Sequence, residues 1–380
     1  MPNNPILIYG GSFDPPHDEH IRLLQTAIHF IEPSKIYVFP SFNTPLKTKS
    51  VASLGNRFTM AKLAFKDIAG KICVSPLELK KNRRTYTYQV VSYVKKRHPN
   101  AKLYFLAGSD CLNFFTKWKK YDYVLKNACL LIAKRKNYPV PDKLNFKYTC
   151  LPNTFKETSS GRIRRNIYLN GKIPAQVPER VAKFIIKNKL YGLDIHHWLK
   201  KNVPIRRYVH TINSAQLALE LAEKHNLDGL KTLQAALLHD CAKGLSVKEL
   251  IDYAIKHNLK PVNKKLIIAN QPSLLHSYVS ADIARKELSI KDKEILNAIA
   301  FHTLGDSSMN KLAKVIFVAD ISSIDRKFKE AEHIRKLALS DLHDAFMLSL
   351  ETKLFYVIER NKWLCPHSVH LWNKMIEKKP

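Results

Sequence analysis

The chain has 380 residues, 45% of them hydrophobic, enough apolar material for two full cores, which excludes a disordered polypeptide. Lysine and arginine number 63 against 32 aspartates and glutamates, a formal net charge of +31 at pH 7, so its field favours polyanions. The six cysteines, at positions 73, 111, 129, 150, 241 and 365, show no CxxC or paired spacing, which argues against disulfides and structural zinc.

Pro5-Ile6-Leu7-Ile8-Tyr9 is short and rich in Ile and Leu and reads as a first strand. Gly10 and Gly11 follow as a tight turn that lets backbone approach a ligand, and Pro15-Pro16 precedes a helical pattern at Ile21, Leu24 and Ile28. His17 and His20 thus flank a helix start, on one side of it, where free N–H groups and the helix dipole favour an anion such as a nucleoside triphosphate. Strand-like runs recur at Lys35–Phe39, Lys71–Ser75, Lys102–Ala107 and Cys129–Ala133 with helical patterns between them. Such alternation predicts an α/β, Rossmann-like domain: a parallel sheet with helices on both faces.

Within that half, Pro40-Ser41-Phe42-Asn43-Thr44-Pro45-Leu46-Lys47 follows the second strand and ends in a lysine that can neutralise phosphate. Arg57 and Met60 fall on the next helix, and Tyr86-Thr87-Tyr88 opens another segment. Leu103 to Asp110 reads as a strand ending in Gly108-Ser109-Asp110, with Trp118 eight residues on; an indole there either stacks on a flat heterocycle or half-buries in a helix. Thr158-Ser159-Ser160-Gly161-Arg162-Ile163-Arg164 places two hydroxyls at a helix start and an arginine one turn in, a second phosphate grip. Val181 to Tyr191 reads as the closing helix.

After Gly192 the strand signals stop, and windows such as Ala215, Leu217, Ala218, Leu221 and Ala222 are helical, so the expected domains are 1–192 and an all-α 193–380. His239-Asp240 follows the apolar Ala235-Ala236-Leu237-Leu238, with Lys243 and Gly244 one turn later. His210 in Arg207-Tyr208-Val209-His210-Thr211, His276, His302 and Asp320 likewise end or interrupt apolar stripes. Taken singly each reads as a satisfied core residue; four histidines and two aspartates together favour metal.

The string Gly10 to His20 resembles the GG[ST]FDPPHxGH form of the signature of bacterial nicotinate-nucleotide adenylyltransferases, and the segments around Lys47, Thr87, Asp110, Trp118 and Arg164 are similar to that family's later motifs. The resemblance implies adenylyl transfer from ATP to nicotinate mononucleotide, giving deamido-NAD and pyrophosphate, with Mg²⁺ carried mainly by the phosphates. It implies that Gly10, Gly11, Ser12, Phe13, His17, His20, Gly108, Asp110, Ser159, Ser160 and Arg164 bind ATP. By the same resemblance Lys47, Thr87, Trp118 and Arg135 bind the pyridine mononucleotide, and His17, His20, Lys47 and Arg164 act in catalysis. Nicotinamide mononucleotide is the alternative acceptor. Glu19 stands where the family carries a glycine close to the adenosine, so a raised Michaelis constant for ATP is expected.

The second half resembles the HD-superfamily hydrolases that split diadenosine tetraphosphate symmetrically into two ADP, through RYxHT, LLHDxAKG, LLH, FHTxG and the run from Lys314 to Asp320, then Arg326. That resemblance implies that His210, His239, Asp240, His276, His302 and Asp320 hold two metals, iron or manganese, with catalytic Lys243 and Arg326 on the polyphosphate. Another phosphoester, such as guanosine tetraphosphate, a deoxynucleotide or a cyclic dinucleotide, or nucleotide sensing alone, is the alternative. The expected partners are small-molecule nucleotides, and a homo-oligomer is left open. No helix-turn-helix, finger or RNP string points to a specific nucleic acid, and no 18-residue stretch is free of charge, so no membrane partner and a cytoplasmic location are expected.

Overall fold

The apolar run after Pro5 becomes the central strand of a parallel sheet. The computed structural model of the protein describes residues 4–42, 51–81, 85–141, 143–156 and 158–377. They form two compact units, Met1–Asn166 with Ile173–Tyr191, and Ile167–Lys172 with Gly192–Pro380.

The first unit contains β1 (Ile6–Gly11), α1 (Asp18–Ile31), β2 (Lys35–Pro40), α2 (Leu54–Ala64), β3 (Ile72–Val74), α3 (Leu77–Lys81), α4 (Thr87–Arg97), β4 (Leu103–Gly108), α5 (Tyr121–Asn127), β5 (Cys129–Arg135) and β6 (Thr149–Phe155). Helices α6 (Ser160–Asn170), whose residues from Ile167 on belong to the second unit, and α7 (Glu179–Lys187) follow. The sheet order is β3-β2-β1-β4-β5-β6, with every neighbouring pair parallel. Ile6 to Tyr9 are all buried, as expected of a strand covered on both faces. The strand order reverses between β1 and β4, and the crevice beyond the carboxyl ends of such strands is where open α/β sheets bind ligands.

Three expectations need correction. Gly10 and Gly11 are not the turn but the last residues of β1, because the ladder to β2 continues through Gly10–Phe39 and Gly11–Pro40. A sixth strand, β6, was not expected: Pro152 interrupts its pattern, and the sheet accommodates it at an edge where the register with β5 shifts between Ile132 and Lys134. The closing helix α7 ends at Lys187, four residues short of Tyr191.

All regular elements among the described residues of the second unit's main segment are helical: α8 (Leu193–Asn202), α9 (Ile205–Lys224), α10 (Gly229–Leu238), α11 (Val247–Lys256), α12 (Lys264–Asn270), α13 (His276–Lys286), α14 (Lys293–Phe301), α15 (Lys311–Ser322), α16 (Lys329–Ala338), α17 (Leu342–Glu359) and α18 (Pro366–Ile376), with short 3-10 turns between. The core is built on α9, α10, α14 and α15, where Ala215, Ala218, Leu233, Ala236, Ile299 and Val315 are fully or almost fully buried.

Arg57 on α2 organises the carboxyl end of the sheet. Its side chain is 1% exposed, and its guanidinium donates to the carbonyls of Ala52 (3.1 Å), Ser12 (2.9 Å), Phe42 (2.9 Å) and Ser41. It thereby gathers the segments that leave β1 and β2. Arg57→Met leaves these carbonyls without their donor, and we expect the first unit to lose about 3–5 kcal/mol of stability, read as a lowered urea midpoint followed through Trp118.

Candidate functional site

The first candidate site lies where β1 ends and α1 begins. Phe13 has a positive φ of 49° and is fully buried, its ring edge-on to Tyr9, Phe65 and His20 at 5.3–5.4 Å. Gly11 is required beside it, since a Cβ there would lie 2.9 Å from the Phe13 ring. His17 caps α1 and its ring lies against that of His20, tilted by 35° with centroids 3.8 Å apart. The His17 backbone N–H donates to His20 Nδ1 (3.2 Å), which leaves the His20 proton on Nε2. Burial, helped by the Arg135 charge, pushes the His17 imidazole down to about 3. At neutral pH it is therefore an uncharged hydrogen-bonding group.

Asp14 fixes this turn from beneath. Its buried carboxylate accepts from the backbone N–H groups of Val51 (2.8 Å) and Ala52 (3.2 Å) and from the Tyr191 hydroxyl (2.8 Å). Arg164 on α6 donates to the Asp14 carbonyl (2.6 Å) and lies 3.5 Å from its carboxylate, while Ser160 Oγ donates to the Pro15 carbonyl (2.9 Å). Ser159 Oγ accepts from the Arg162 N–H (3.1 Å) and caps α6. Two helix N-termini, of α1 and α6, are thus fastened to one turn, together with His17, His20, Ser12, Phe13 and Arg164. Asp110, just past β4, and Arg135, the last residue of β5, pair at 3.4 Å, and a side chain at Gly108 would strike both.

Thr87 opens α4 between the rings of Tyr86 and Tyr88, which are stacked at 6.2 Å. Trp118 packs against Phe115 and Phe105, so its ring is partly committed to the core. Lys47 lies outside the described residues. Glu19 shows a role that its sequence position does not announce: its carboxylate accepts from Arg22 (3.1 Å) and from the backbone N–H of Lys156 (3.0 Å).

The second candidate site is a metal centre in the helical unit. His210 comes from α9, His239 and Asp240 from the end of α10, His276 from the start of α13, His302 from the end of α14 and Asp320 from α15. The Nδ1 atoms of His239, His276 and His302 each donate to the carbonyl three residues back, of Ala236, Ser273 and Ile299, at 2.6–2.7 Å. His210 Nδ1 donates instead to Asp325 (2.8 Å), a residue whose sequence context gave no signal. With the Nδ1 hydrogens engaged, each Nε2 presents a lone pair.

Those lone pairs converge. His276 Nε2 and His302 Nε2 are 3.2 Å apart, and the Thr303 hydroxyl, about equally close to both, has one proton to give. His239 Nε2 is buried without a hydrogen-bond partner, 3.8 Å from both Asp240 and Asp320. Asp240 Oδ1 lies 3.3 Å from His276 and 3.4 Å from His302. The Arg326 guanidinium already sets a positive charge against His210 Nε2 (3.2 Å) and Asp320 Oδ1 (2.9 Å). His210, His239 and Asp320 form one group able to hold a metal ion, and His239, Asp240 and His302 another, each with ligand atoms within 4.8 Å of one another. An acceptor-lined pocket of this kind fits a cation.

Burial pushes His276 down and His302 down to about 4, so both are neutral, whereas His239, although its burial opposes charge, is raised by Asp240 and Asp320. Burial opposes ionisation of the two carboxylates, yet the histidines around Asp240, His239 foremost, and Lys353, His210, His239 and Arg326 around Asp320 hold both well below the ordinary range. Lys243 is pushed down by burial near both carboxylates, and Arg207 lies 3.8 Å from Asp240. Arg207 and Lys353 are further cations at this centre that the sequence reading did not single out.

Residues 8–166 match the cytidylyltransferase-like family and residues 207–325 match the HD domain. The chain is 33% identical over 359 residues to a probable nicotinate-nucleotide adenylyltransferase/Ap4A hydrolase of Mycoplasma genitalium, covering 91% of this chain and 97% of that protein. A protein of the same description from Mycoplasma pneumoniae is 28% identical over 367 residues, with 91% and 98% coverage. The symmetrical bis(5'-nucleosyl)-tetraphosphatase of Bacillus subtilis is 32% identical over 178 residues, 47% of this chain and 94% of its own length.

The buried, neutral His17 makes stability depend on pH. Its folded value lies below its unfolded value of about 6.5, so its contribution is full above pH 6.5 and falls as acid protonates the unfolded chain. We expect His17→Gln to flatten the pH dependence of first-unit unfolding between pH 4 and 6 by up to about 1.4 kcal/mol per pH unit, measured as urea midpoints across that range.

Proposed function

The chain belongs to the family of nicotinate-nucleotide adenylyltransferase/Ap4A hydrolases, and from that premise we propose that it carries two activities, one in each unit. The first unit transfers the adenylyl group of ATP to nicotinate mononucleotide: a phosphate oxygen of the mononucleotide bonds to the α-phosphorus, the bond to the β-phosphate breaks, and pyrophosphate leaves with deamido-NAD as product. The second hydrolyses diadenosine tetraphosphate to two ADP.

In the first unit the protein contributes no nucleophile. The His20 Nε2–H, the neutral His17 ring, the Arg164 guanidinium and the first turn of α6 surround the anion, and they align the reactants and stabilise charge developing on the phosphoryl oxygens. Magnesium entering with ATP supplies charge neutralisation on the phosphates. Lys47, Thr87, Trp118 and Arg135 are assigned to the pyridine mononucleotide, and Gly10, Gly108 and Asp110 to ATP. Gly10 suits close approach, since a Cβ there meets nothing within 4 Å.

An HD domain implies divalent-metal binding, and the residues here fit it. We assign His210, His239, Asp240, His276, His302 and Asp320 as ligands of two ions, iron or manganese, which suit this mixture of nitrogen and oxygen donors. When bound, the ions supply the Lewis acidity that polarises a phosphoryl group. Asp325 and the backbone carbonyls orient the imidazoles, and Arg207, Lys243 and Arg326 offer cations to the polyphosphate. The observation that carries this second activity is the convergence of four Nε2 atoms and two ionised carboxylates.

The full-length protein, supplied with Mn²⁺ or Fe²⁺ and diadenosine tetraphosphate, is expected to give ADP as sole product by chromatography. ATP plus AMP, or faster turnover of guanosine tetraphosphate, overturns the assignment. Chelation is expected to abolish this hydrolysis, and added Mn²⁺ to restore it. We expect His239→Ala to lower hydrolysis at least about a hundredfold and to leave adenylyl transfer within twofold. His17→Ala is expected to do the reverse, lowering adenylyl transfer about 10²–10³-fold.

A further inference from the structure

The first turn of α1 carries an ion pair that reaches across to a different part of the first unit. Glu19, whose side chain is 14% exposed, accepts from Arg22 (3.1 Å) and from the backbone N–H of Lys156 (3.0 Å). Arg22 in turn donates to the backbone carbonyl of Thr154 (3.1 Å), and its guanidinium stands 4.9 Å from the centroid of the Phe155 ring. One carboxylate and one guanidinium thus bind the two backbone groups, Thr154 C=O and Lys156 N–H, that the edge strand β6 offers at its end. Glu19 and Arg22 are one helical turn apart, so the pair is held in register by α1 itself.

Both ends of this clamp lead into the phosphate site. Glu19 immediately precedes His20, and Lys156 lies three residues before Ser159, which caps α6 and starts the segment that carries Arg164. The contacts of Ser160 with Pro15 and of Arg164 with Asp14 hold α6 to the turn from one side. The Glu19–Arg22 pair holds the approach to α6 from the other. We propose that Glu19 is a positioning residue for adenylyl transfer: through Arg22 and the backbone of residues 154–156 it sets the α6 phosphate grip against the α1 histidines, and so sets ATP affinity. This rests on the first unit being an ATP-dependent adenylyltransferase.

Positioning by Glu19 and simple crowding by Glu19 have opposite effects on ATP affinity. If Glu19 only fills space that a glycine would leave to the adenosine, Glu19→Gly tightens ATP binding. If it positions the grip, Glu19→Gly loosens it.

The test is steady-state adenylyl transfer by the full chain, with ATP and nicotinate mononucleotide varied separately. We expect Glu19→Gly to raise the KM for ATP five- to tenfold, with kcat and the KM for the mononucleotide within twofold. Glu19→Gln, which keeps an oxygen for the Lys156 N–H, is expected to recover most of that loss. An unchanged or lowered KM for ATP in Glu19→Gly overturns the proposal, as does an equal rise in both KM values, which marks general loosening. Should Glu19→Gly fail to fold, Arg22→Gln tests the other half of the clamp: a wild-type KM for ATP in that variant overturns the proposal equally. An inactive wild-type protein overturns the adenylyltransferase reading instead.

Discussion

A carboxylate taken out of water must be matched by donors or cations, and both sites of this protein are arranged around carboxylates that obey this constraint. Asp14 is met by two backbone N–H groups, a tyrosine hydroxyl and an arginine, and the turn that holds the histidines of the first unit has its shape because those donors come from three different segments. Asp240 and Asp320 are met by the cations of Arg207, Arg326 and Lys353. The difference is in what is left over. Around Asp14 the donors complete a structural knot, whereas around Asp240 and Asp320 the imidazole lone pairs still face inward and call for positive charge.

The two units also treat histidine in opposite ways. In the first, burial, helped by the Arg135 charge, keeps His17 neutral, a hydrogen-bonding group with its ring tilted against that of His20. In the second, Nδ1 of His239, His276 and His302 is tied to a carbonyl three residues back and that of His210 to Asp325, so the four rings are held in fixed orientations. The first arrangement suits an anion, the second a cation. The large positive charge of the chain favours polyanions.

Much of this was legible in the sequence because it is local. The histidines of the first turn and the hydroxyls before Arg164 sit in short strings whose spacing places them at helix starts, and the six metal-ligand candidates end or interrupt apolar stripes. What was not legible depends on partners far along the chain. Nothing near Asp325 says that it will meet His210, 115 residues away, and nothing near Glu19 says that its carboxylate will find the backbone at Lys156. β6 escaped notice because Pro152 breaks the pattern of a strand that only an edge position tolerates. Gly10 and Gly11 read as a turn because glycine usually marks one, but the parallel ladder with β2 keeps them in the strand.

The anchors of the two sites lie beyond the limits by which their domains are recognised. The cytidylyltransferase-like match ends at residue 166, yet Asp14 depends on Tyr191; the HD match ends at residue 325, yet Asp320 and the carbonyl of His302 share the ammonium of Lys353 on α17. Excising either domain at its family limits would keep the signature strings, Arg326 excepted, and discard the group that holds them in place. The heritable unit here is therefore longer than the recognisable one, and a graft or gene fragment meant to carry either chemistry has to be cut by its buried partners, not by its signature strings.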